Sequence, residues 1–540
     1  MESFLRENSK NLAVVAFEVA AIFLMVFNIW PREAVILVTG FLICYFIFSP
    51  LKDSLWVFLV SLPLFLALPL TSGFDSMANW RILVVVLFLV WFFKKIKEEG
   101  LDSIWPYIKE KIKNKAIVLF LIFIGISFLS LLVAEDVGAG LKRIAFLINI
   151  AMIFLVIEDV IVSEKSFKKI FQGGLISLGL VLAVGYLQLI SIFIVSLYNF
   201  WFFWAGRVIP LFYGDNLGKL LLDKNTWFSY YHSAPPTLRM FSVFPDSHSF
   251  ALFIIVGVPY ILALIYTLQP RKKSYLFFLY GFLVLALAGL LFSGSRGVWL
   301  SALVPLFILL TLLISKRFSY FSFLSKVYRF FIRFFEKIKS NFWRIGQLIV
   351  GSLILLFILF PLVSDVFFIS QESQLGIYKS SNRALFERAR SIFDFSELSV
   401  KSRLQIWNES LNSVWEHPWL GVGIGNYPVV LNQDIEKTKE GSSAHNLYLD
   451  IASEVGLVAL MVFIGLMVVI FKNTWQAGQN KTGLAGALAS VFSIYLIWIL
   501  SYSLFDVVLF NDKVLIFFVI TVGLIYGAKK SLSFNNFSDI

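Results

Sequence analysis

Two arginines suited to binding an anion stand at the borders of apolar segments. Arg296 lies in FSGSRGVWLS between two apolar runs and is flanked by Gly294 and Gly297. Arg239, in LRMFSVFPDSHSF, precedes the apolar run that begins near residue 249. An isolated arginine at such a border can simply extend its guanidinium to the membrane interface. Two guanidinium groups at one surface also match the oxygens of a lipid-linked diphosphate, and the two glycines leave room for it.

The segment SSAHNLYLDIASEVG, residues 442–456, contains a histidine at the start of an apolar run. Ser442 or Ser443 is expected to cap a helix that continues as a membrane span, which places His445 in the first turn. The positive end of the helix dipole disfavours the imidazolium form and so favours a neutral ring. A neutral imidazole can act as a general base, whereas a histidine at a helix start can also be a cap or a surface residue.

A third basic side chain, Arg403, belongs to the segment SRLQIWNESLNSVWEHPWLGVGIGNYP. Ser402 is the predicted N-cap, and the helical pattern runs to about His417, where Pro418 ends it. Arg403 and Trp407 stand one turn apart and are expected to pack together. The pattern predicts a helix laid over the membrane surface, and Arg403 is a further candidate for an anion or sugar site.

Several catalytic motifs are absent from the sequence. It contains no G-x-x-x-x-G-K-[ST] phosphate loop, no G-x-S-x-G nucleophile motif and no D-x-D pair. GVGIGN at 421–426 has the glycine spacing of a tight turn, not that of a dinucleotide-binding loop. The one cysteine, Cys44, lies in an apolar run and excludes a thiolate cluster. We therefore expect neither a metal nor a cofactor.

The elements that position these side chains are membrane helices. The chain of 540 residues is 59% hydrophobic with a mean hydropathy of +0.83, more than a soluble domain can carry. A bilayer needs about 20 apolar residues per helix, and the sequence predicts about 14 helices. The first is expected to be retained, because no cleavage site follows it. The apolar runs lie near 11–30, 33–48, 54–71, 80–93, 116–134, 141–157, 173–198, 249–268, 275–293, 297–315, 346–364, 447–471, 483–505 and 513–528.

The basic residues predict the orientation. With 14 spans, the lysines and arginines of the loops around 94–115, 165–169 and 271–273 and of both ends fall on one side, which is then cytoplasmic. The net charge of +12 is thus a topology signal, and no nucleic-acid partner is expected. Residues 316–344 form a predicted basic amphipathic helix on the cytoplasmic membrane surface. The long loops 199–248 and 365–446, with all four histidines, are predicted to lie outside.

Three features in this order resemble the O-antigen ligase-related family of bacterial surface-polysaccharide enzymes. They are SGSRGVWLS at a span start, R-x-x-x-W leading into HPWLGVGIGN, and AHNLYLD-x-A-x-E-x-G-L before a further span. The resemblance covers about 285–470 and divides the chain into 1–284, 285–470 and 471–540. Around Arg239 it is looser, because relatives often have asparagine after the proline where this chain has Asp246.

The resemblance implies a fold and an activity. The fold would be that of an all-α integral membrane protein similar to the C-type glycosyltransferase superfamily, with a helical periplasmic cap. Such proteins lie in the bacterial inner membrane and move a glycan from an undecaprenyl-diphosphate carrier to a hydroxyl of a glycan, a lipid core or a protein. The implied roles are diphosphate binding for Arg239 and Arg296, with Arg403 as a further contact, and general base for His445.

Two alternatives remain at the sequence level. A polysaccharide polymerase would use the same donor with another acceptor. A lipid-linked oligosaccharide flippase would show internal repeats and ionisable groups near mid-membrane. The sequence has no visible repeat, and few charges interrupt the apolar runs, Glu18 being the clearest. The grouping of arginines and histidines outside the spans favours transfer chemistry.

Overall fold

The computed structural model describes residues 8–71, 75–223, 226–229, 236–268, 273–317, 340–375, 398–431 and 443–531. These residues are predominantly helical, which confirms the predicted all-α class. The helices of the first half are α1 Ser9–Val26, α2 Ala34–Phe48, α3 Leu51–Val60, α4 Trp80–Glu99, α5 Ile104–Ile112, α6 Lys115–Ser130, α7 Val137–Val160, α8 Glu164–Ser191, α9 Leu197–Phe203, α10 Ile209–Tyr213 and α11 Asp215–Asp223.

The second half begins with Ser247–Thr267, the most buried of the candidate spans in the described residues. Its helices are α12 Ser247–Thr267, α13 Lys273–Phe292, α14 Arg296–Arg317, α15 Ser340–Leu375, α16 Leu398–Glu416, α17 Tyr427–Val430, α18 Leu447–Val455, α19 Leu457–Asn480, α20 Gly483–Tyr502 and α21 Asp512–Lys530. Two antiparallel strand pairs of two residues each complete the regular structure: Ala67–Leu68 with Met77–Ala78, and Phe228–Ser229 with Thr237–Leu238.

Nine helices of the described residues are long and apolar enough to cross a membrane, and they make this a multi-pass membrane protein. They are α1, α7, α8, α12, α13, α14, α15, α19 and α20. Residues 101–112 and α6, which meet at an angle of 90°, form a tenth candidate. The count is below the predicted 14, partly because charged residues interrupt the apolar character at the ends of α4 and α21.

Two predicted spans are interrupted in the structure. The run near 54–71 is an α-helix only up to Val60 and continues as a short 3₁₀ turn and a strand. The run near 447–471 breaks at Gly456, which separates α18 from α19. Gly456 has a φ of +94°, and a Cβ atom there would lie 2.1 Å from the carbonyl oxygen of Trp419. The break therefore requires glycine, both for its backbone conformation and for the close approach of the HPWLG segment.

The core is built around α12 and α20. Over their most apolar stretches these helices are 83% and 78% buried inside the protein, whereas α19 is 28% buried. α12 and α20 pack against each other, and α14 packs on α20. The start of α12, the start of α14 and the end of α20 lie at one end of the bundle, which we call the site end. The opposite end is called the far end.

Ion pairs hold the far end together. α7 begins at the site end and reaches the far end at Glu158, whose carboxylate lies 2.6 Å from the ammonium group of buried Lys111. Asp159 accepts hydrogen bonds from Trp91 Nε1 at 3.1 Å and from Lys95 at 3.4 Å. Each carboxylate is thus matched to a donor from another helix, which offsets the cost of burying it.

Parts of the predicted surface elements lie outside the described residues. These parts are 318–339 of the amphipathic helix, 224–225 and 230–235 of the first long loop, and 376–397 and 432–442 of the second. The predicted helix over residues 402–417 is confirmed as α16, but it begins at Leu398. Ser402 therefore lies inside the helix, and the prediction that it is the N-cap is wrong.

Candidate active site

Hydrogen bonds join five separate chain segments at the site end in two groups. The Leu447 N–H at the start of α18 donates to the Ser503 carbonyl just after α20, at 2.9 Å. The Met240 N–H donates to the Phe292 carbonyl at the end of α13, also at 2.9 Å. From α16, Trp407 Nε1 donates to the Ala444 carbonyl at 2.9 Å. These bonds join the loop before α12 to the α13–α14 turn, and they join α16 and the end of α20 to the start of α18.

The structure brings Arg239 to the turn that carries Arg296. The side chain of Arg239 packs on Gly294, where an added Cβ atom would lie 3.3 Å from the arginine Cγ. Arg239 Nε donates to Ser229 Oγ at 2.9 Å, which orients the side chain. Arg296, two residues beyond Gly294, is the first residue of α14 and is half-buried. The two arginines predicted to share a surface therefore lie at the same turn.

His445 does not lie in the first turn of a helix, contrary to the prediction. The N-cap of α18 is Asn446, whose Oδ1 accepts from the N–H groups of Tyr448 at 3.0 Å and Leu449 at 3.3 Å. Ser443 is therefore not the cap, and Ser442 lies outside the described residues. His445 precedes the cap in the left-handed conformation, with a φ of +47°. Such a backbone is uncommon for a residue other than glycine and carries strain, which is found most often at functional sites.

The surroundings of His445 favour a neutral imidazole. Burial and, to a smaller extent, the positive charge of Arg403 lower the pKa of His445 to about 4, against a smaller opposing effect of Asp246. The neutral state is therefore explained by burial and a nearby cation, not chiefly by the helix dipole. Among the described residues, the buried Nδ1 atom of His445 has no hydrogen-bond partner. It is thus available to a ligand.

A polar cluster that the sequence analysis did not assign to the site lies beside these residues. His248 Nδ1 lies 2.9 Å from Ser295 Oγ and 3.1 Å from the Tyr502 hydroxyl. The Ser295 and Tyr502 oxygens are 2.9 Å apart, and Asp506 Oδ2 lies 3.7 Å from His248 Nδ1. Ser295 immediately precedes Arg296, so the cluster connects the α13–α14 turn to α12 and α20.

Two buried carboxyl groups complete the electrostatics of the site. Burial raises the pKa of Asp246 to about 6, helped by the negative charge of Asp506. Burial likewise raises the pKa of Asp506 to about 6, although the cation of Arg403 partly offsets it. Arg403 therefore interacts with both Asp506 and His445, and this is how the cap helix α16 contributes charge to the site. In the sequence, the PDSHS segment could have identified Asp246 and His248 as candidate site residues. The residues around Tyr502 and Asp506 match no motif.

The GVGIGN segment is a tight turn, as predicted. Gly423 has a φ of +97°, and a Cβ atom there would lie 2.5 Å from the Cβ of Ala134. Asn426 holds the loop before α7 by accepting from the Asp136 N–H at 2.7 Å and donating to the Asp136 carbonyl at 3.1 Å. The Tyr427 N–H donates to Glu454 of α18 at 3.2 Å. The turn thus supports α18, and we assign it no contact with substrate.

The comparison with known families now adds an independent observation. Residues 281–464 match the family model described as O-Antigen ligase. This segment of the chain is therefore similar to the O-antigen ligase-related family. No curated protein matches the chain. The O-antigen ligase match includes Arg296, Arg403 and His445, and it supports a membrane glycosyltransferase-like role in O-antigen biosynthesis. Arg239 and Asp506 lie outside the matched range, so the structure alone connects them to the matched segment.

Proposed function

We propose that this protein transfers a glycan from an undecaprenyl-diphosphate carrier to a hydroxyl acceptor. The observation that carries the proposal is the environment of His445. Its ring is buried and neutral, its Nδ1 has no hydrogen-bond partner among the described residues, and Arg403 lies close enough to lower its pKa. A base in this state can accept a proton near neutral pH, and the arginines at the α13–α14 turn can bind a diphosphate.

In the proposed reaction, a ring nitrogen of His445 takes the proton of the acceptor hydroxyl. The acceptor oxygen then forms a bond to the anomeric carbon of the donor sugar. The bond from that carbon to the diphosphate oxygen breaks, and undecaprenyl diphosphate leaves with the electron pair. Arg296 and Arg239 offset the negative charge that develops on the leaving group, and Arg403 is a further cation for this purpose.

The proposal includes the place of the reaction and its independence from metals. The site end faces the outside of the bacterial inner membrane, where carrier-linked glycans are used, and both termini are cytoplasmic. Arginine replaces a metal ion as the partner of the diphosphate. Within the described ranges, no three histidine, cysteine or carboxylate side chains lie close enough together to hold a metal ion. EDTA is therefore expected to leave transfer unchanged, and loss of activity that magnesium or manganese restores would refute this part of the proposal.

The acceptor distinguishes a ligase from the alternative, a polysaccharide polymerase. Both would use the same donor and the same arrangement of arginines and histidine. Purified protein in proteoliposomes should be given a lipid-linked donor with either a lipid A-core acceptor or a second lipid-linked repeat unit. Transfer to the first supports a ligase, and elongation of the second supports a polymerase. Movement of the donor across the membrane without any transfer would support a flippase instead.

The roles of Arg296 and His445 can be separated by measuring binding and transfer in the same variants. Arg296→Ala should weaken binding of the lipid-linked donor, and Arg296→Lys should restore it only partly, because lysine keeps the charge but loses the planar guanidinium. His445→Ala should retain donor binding and slow single-turnover transfer by roughly 10²–10⁴-fold, the usual contribution of a general base.

Two exposed residues provide matched controls. Lys142→Ala removes an exposed cation near the start of α7, and His417→Ala removes an exposed histidine just after α16. Both variants should bind and transfer like the wild type. If His445→Ala lost donor affinity while its bound fraction reacted at the wild-type rate, His445 would be a binding residue and the assigned base would be wrong.

A further inference from the structure

An apolar groove lies between four helices on a flank of the bundle. Its volume is about 210 Å³, and its walls come from α6, α7, α19 and α21, with Phe510 at one end. The lining side chains are aliphatic or aromatic, and Tyr526 supplies a hydroxyl. Leu121, one of the lining residues, is 52% exposed, so the groove opens on the lateral, membrane-facing surface.

The groove is elongated along α21. Its lining on that helix runs from Leu515 to Tyr526, which is about 16 Å at the usual helical rise. This length is comparable with half of a bilayer core, which is about 15 Å. The groove is therefore long enough to hold a stretch of an extended hydrocarbon chain.

The guanidinium group of Arg143 lies where the groove meets the site end. The guanidinium carbon of Arg143 lies 5.0 Å from the centre of the Phe510 ring. Arg143 also interacts electrostatically with the buried carboxyl groups of Asp450 and Glu454. Asp450 in turn accepts a hydrogen bond from the N–H of Ala444 at 3.0 Å, directly before His445. The outer end of the groove is thus connected to the histidine through two side chains.

We propose that this groove binds the polyprenyl chain of the lipid-linked donor and that Arg143 faces the first phosphate beyond it. This inference rests on the proposed function and adds the location of the lipid. Two observations favour a polyprenyl chain over an ordinary phospholipid acyl chain: the cation at the outlet, and the connection of that outlet to His445. The carrier would then enter from the membrane along α6, α7, α19 and α21.

Filling the groove tests the proposal. Ala151→Phe and Val519→Phe place bulk on two lining positions contributed by different helices, α7 and α21. Each is expected to weaken binding of undecaprenyl diphosphate to the purified protein in nanodiscs by about tenfold, since losing contact with about two methylene-sized groups has that effect. Inhibition of transfer by inorganic diphosphate, which has no chain, should keep its wild-type concentration dependence. Ala20→Phe, on the exposed face of α1, is the matched control and should change neither measurement.

The outcomes distinguish failure of the groove proposal from failure of the proposed function. If wild-type protein does not bind undecaprenyl diphosphate, the proposed function fails. If it binds and both groove variants bind equally well, the groove proposal is overturned and the donor assignment stands. Displacement of the polyprenyl probe by dioleoyl phosphatidylglycerol at equal concentration would also overturn it. If the variants do not fold, a diazirine-bearing polyprenyl diphosphate can be cross-linked to wild-type protein. Labelled peptides from α7 and α21 would support the groove, and labelling only elsewhere would exclude it.

Discussion

The two ends of the bundle treat their buried polar groups differently. At the far end, the buried ammonium group of Lys111 lies 2.6 Å from Glu158. At the site end, the buried Nδ1 of His445 has no hydrogen-bond partner among the described residues. Asp246 and Asp506 are close enough to raise the pKa of Asp246, and Arg403 offsets only part of the effect of burial on Asp506. Charges at the far end compensate one another directly. Charges at the site end remain able to respond to a ligand.

The difference indicates which buried polar groups support the fold and which support the reaction. A buried ion pair contributes little net stability but is costly to break. A buried base without a partner is unfavourable for the folded protein, and its cost is offset only when substrate binds or reacts. The same contrast predicts where substitutions should change stability and where they should change transfer.

The sharpest test of the comparison is whether the two ends face different compartments. With Cys44 replaced by alanine, single cysteines at Lys401 on α16 and at Glu98 on α4 report the site end and the far end; both positions are exposed. An impermeant maleimide on intact cells is expected to label Lys401→Cys and to leave Glu98→Cys unlabelled until the membrane is permeabilised. Equal labelling of both, or labelling of Glu98→Cys alone, would contradict the orientation derived from the basic residues.

Breaking the far-end pair should reduce stability without changing the chemistry. Lys111→Met leaves the Glu158 carboxylate buried and unpaired, at an expected cost of about 3–5 kcal/mol in the free energy of unfolding. The Tm of purified protein should fall, while the folded fraction transfers at the wild-type rate. The double variant Lys111→Met/Glu158→Leu should recover most of the loss.

The control for this prediction is an exposed pair on α4. Lys94 and Glu98 lie 3.7 Å apart with side chains 51% and 63% exposed. Lys94→Met should therefore change the free energy of unfolding by less than about 1 kcal/mol. An effect of Lys94→Met as large as that of Lys111→Met would mean that burial does not distinguish the two pairs.

The smallest expected effect is a shift in pH dependence at the site end. A neutral His445 is required, so the acidic limb of kcat/KM should lie near its pKa of about 4. Arg403→Gln removes a positive charge that lowers this pKa, so the limb should move upward towards 6.5. Asp246→Asn keeps an N-cap side chain on α12 and should leave the limb nearly unchanged, because Asp246, with a pKa of about 6, is already largely protonated near pH 4.

Lys401→Gln removes an exposed charge from the same helix as Arg403 and should leave the pH profile unchanged.

The pKa of His445 also determines how the stability of the protein depends on pH. Because the unfolded histidine binds a proton more readily than the folded one, the contribution of His445 to stability is present above about pH 6.5 and is lost as the pH falls towards 4. A downward shift of the acidic limb for Arg403→Gln, or a shift of similar size for Asp246→Asn, would contradict the electrostatic explanation.

Local patterns allowed much of this architecture to be predicted. The membrane class, α16 and the GVGIGN turn depend on hydropathy, helical periodicity and glycine spacing, which are properties of short segments. The prediction that Arg239 and Arg296 share a surface also agrees with the structure, because both precede spans that begin at the same end. Residues with such local signals can be placed without knowing which helices are neighbours.

The rest depends on contacts between distant segments. His248 and Asp506 are separated by more than 250 residues and meet only because α12 packs on α20. The pairing of Lys111 with Glu158 likewise requires two helices to be neighbours. The Ser442 or Ser443 cap was wrong because Asn446 is also a strong N-cap residue, and sequence alone does not decide between them.

The left-handed backbone of His445 has a consequence for how this protein tolerates mutation. Glycine or asparagine adopts a φ of +47° at lower cost than histidine, so either residue at position 445 relieves local strain. Neither supplies a titratable nitrogen. Laboratory evolution for resistance to heat or detergent, without selection for glycan transfer, would therefore favour loss of this histidine. Thermostabilised variants obtained in that way should be sequenced at position 445 before any biochemical use.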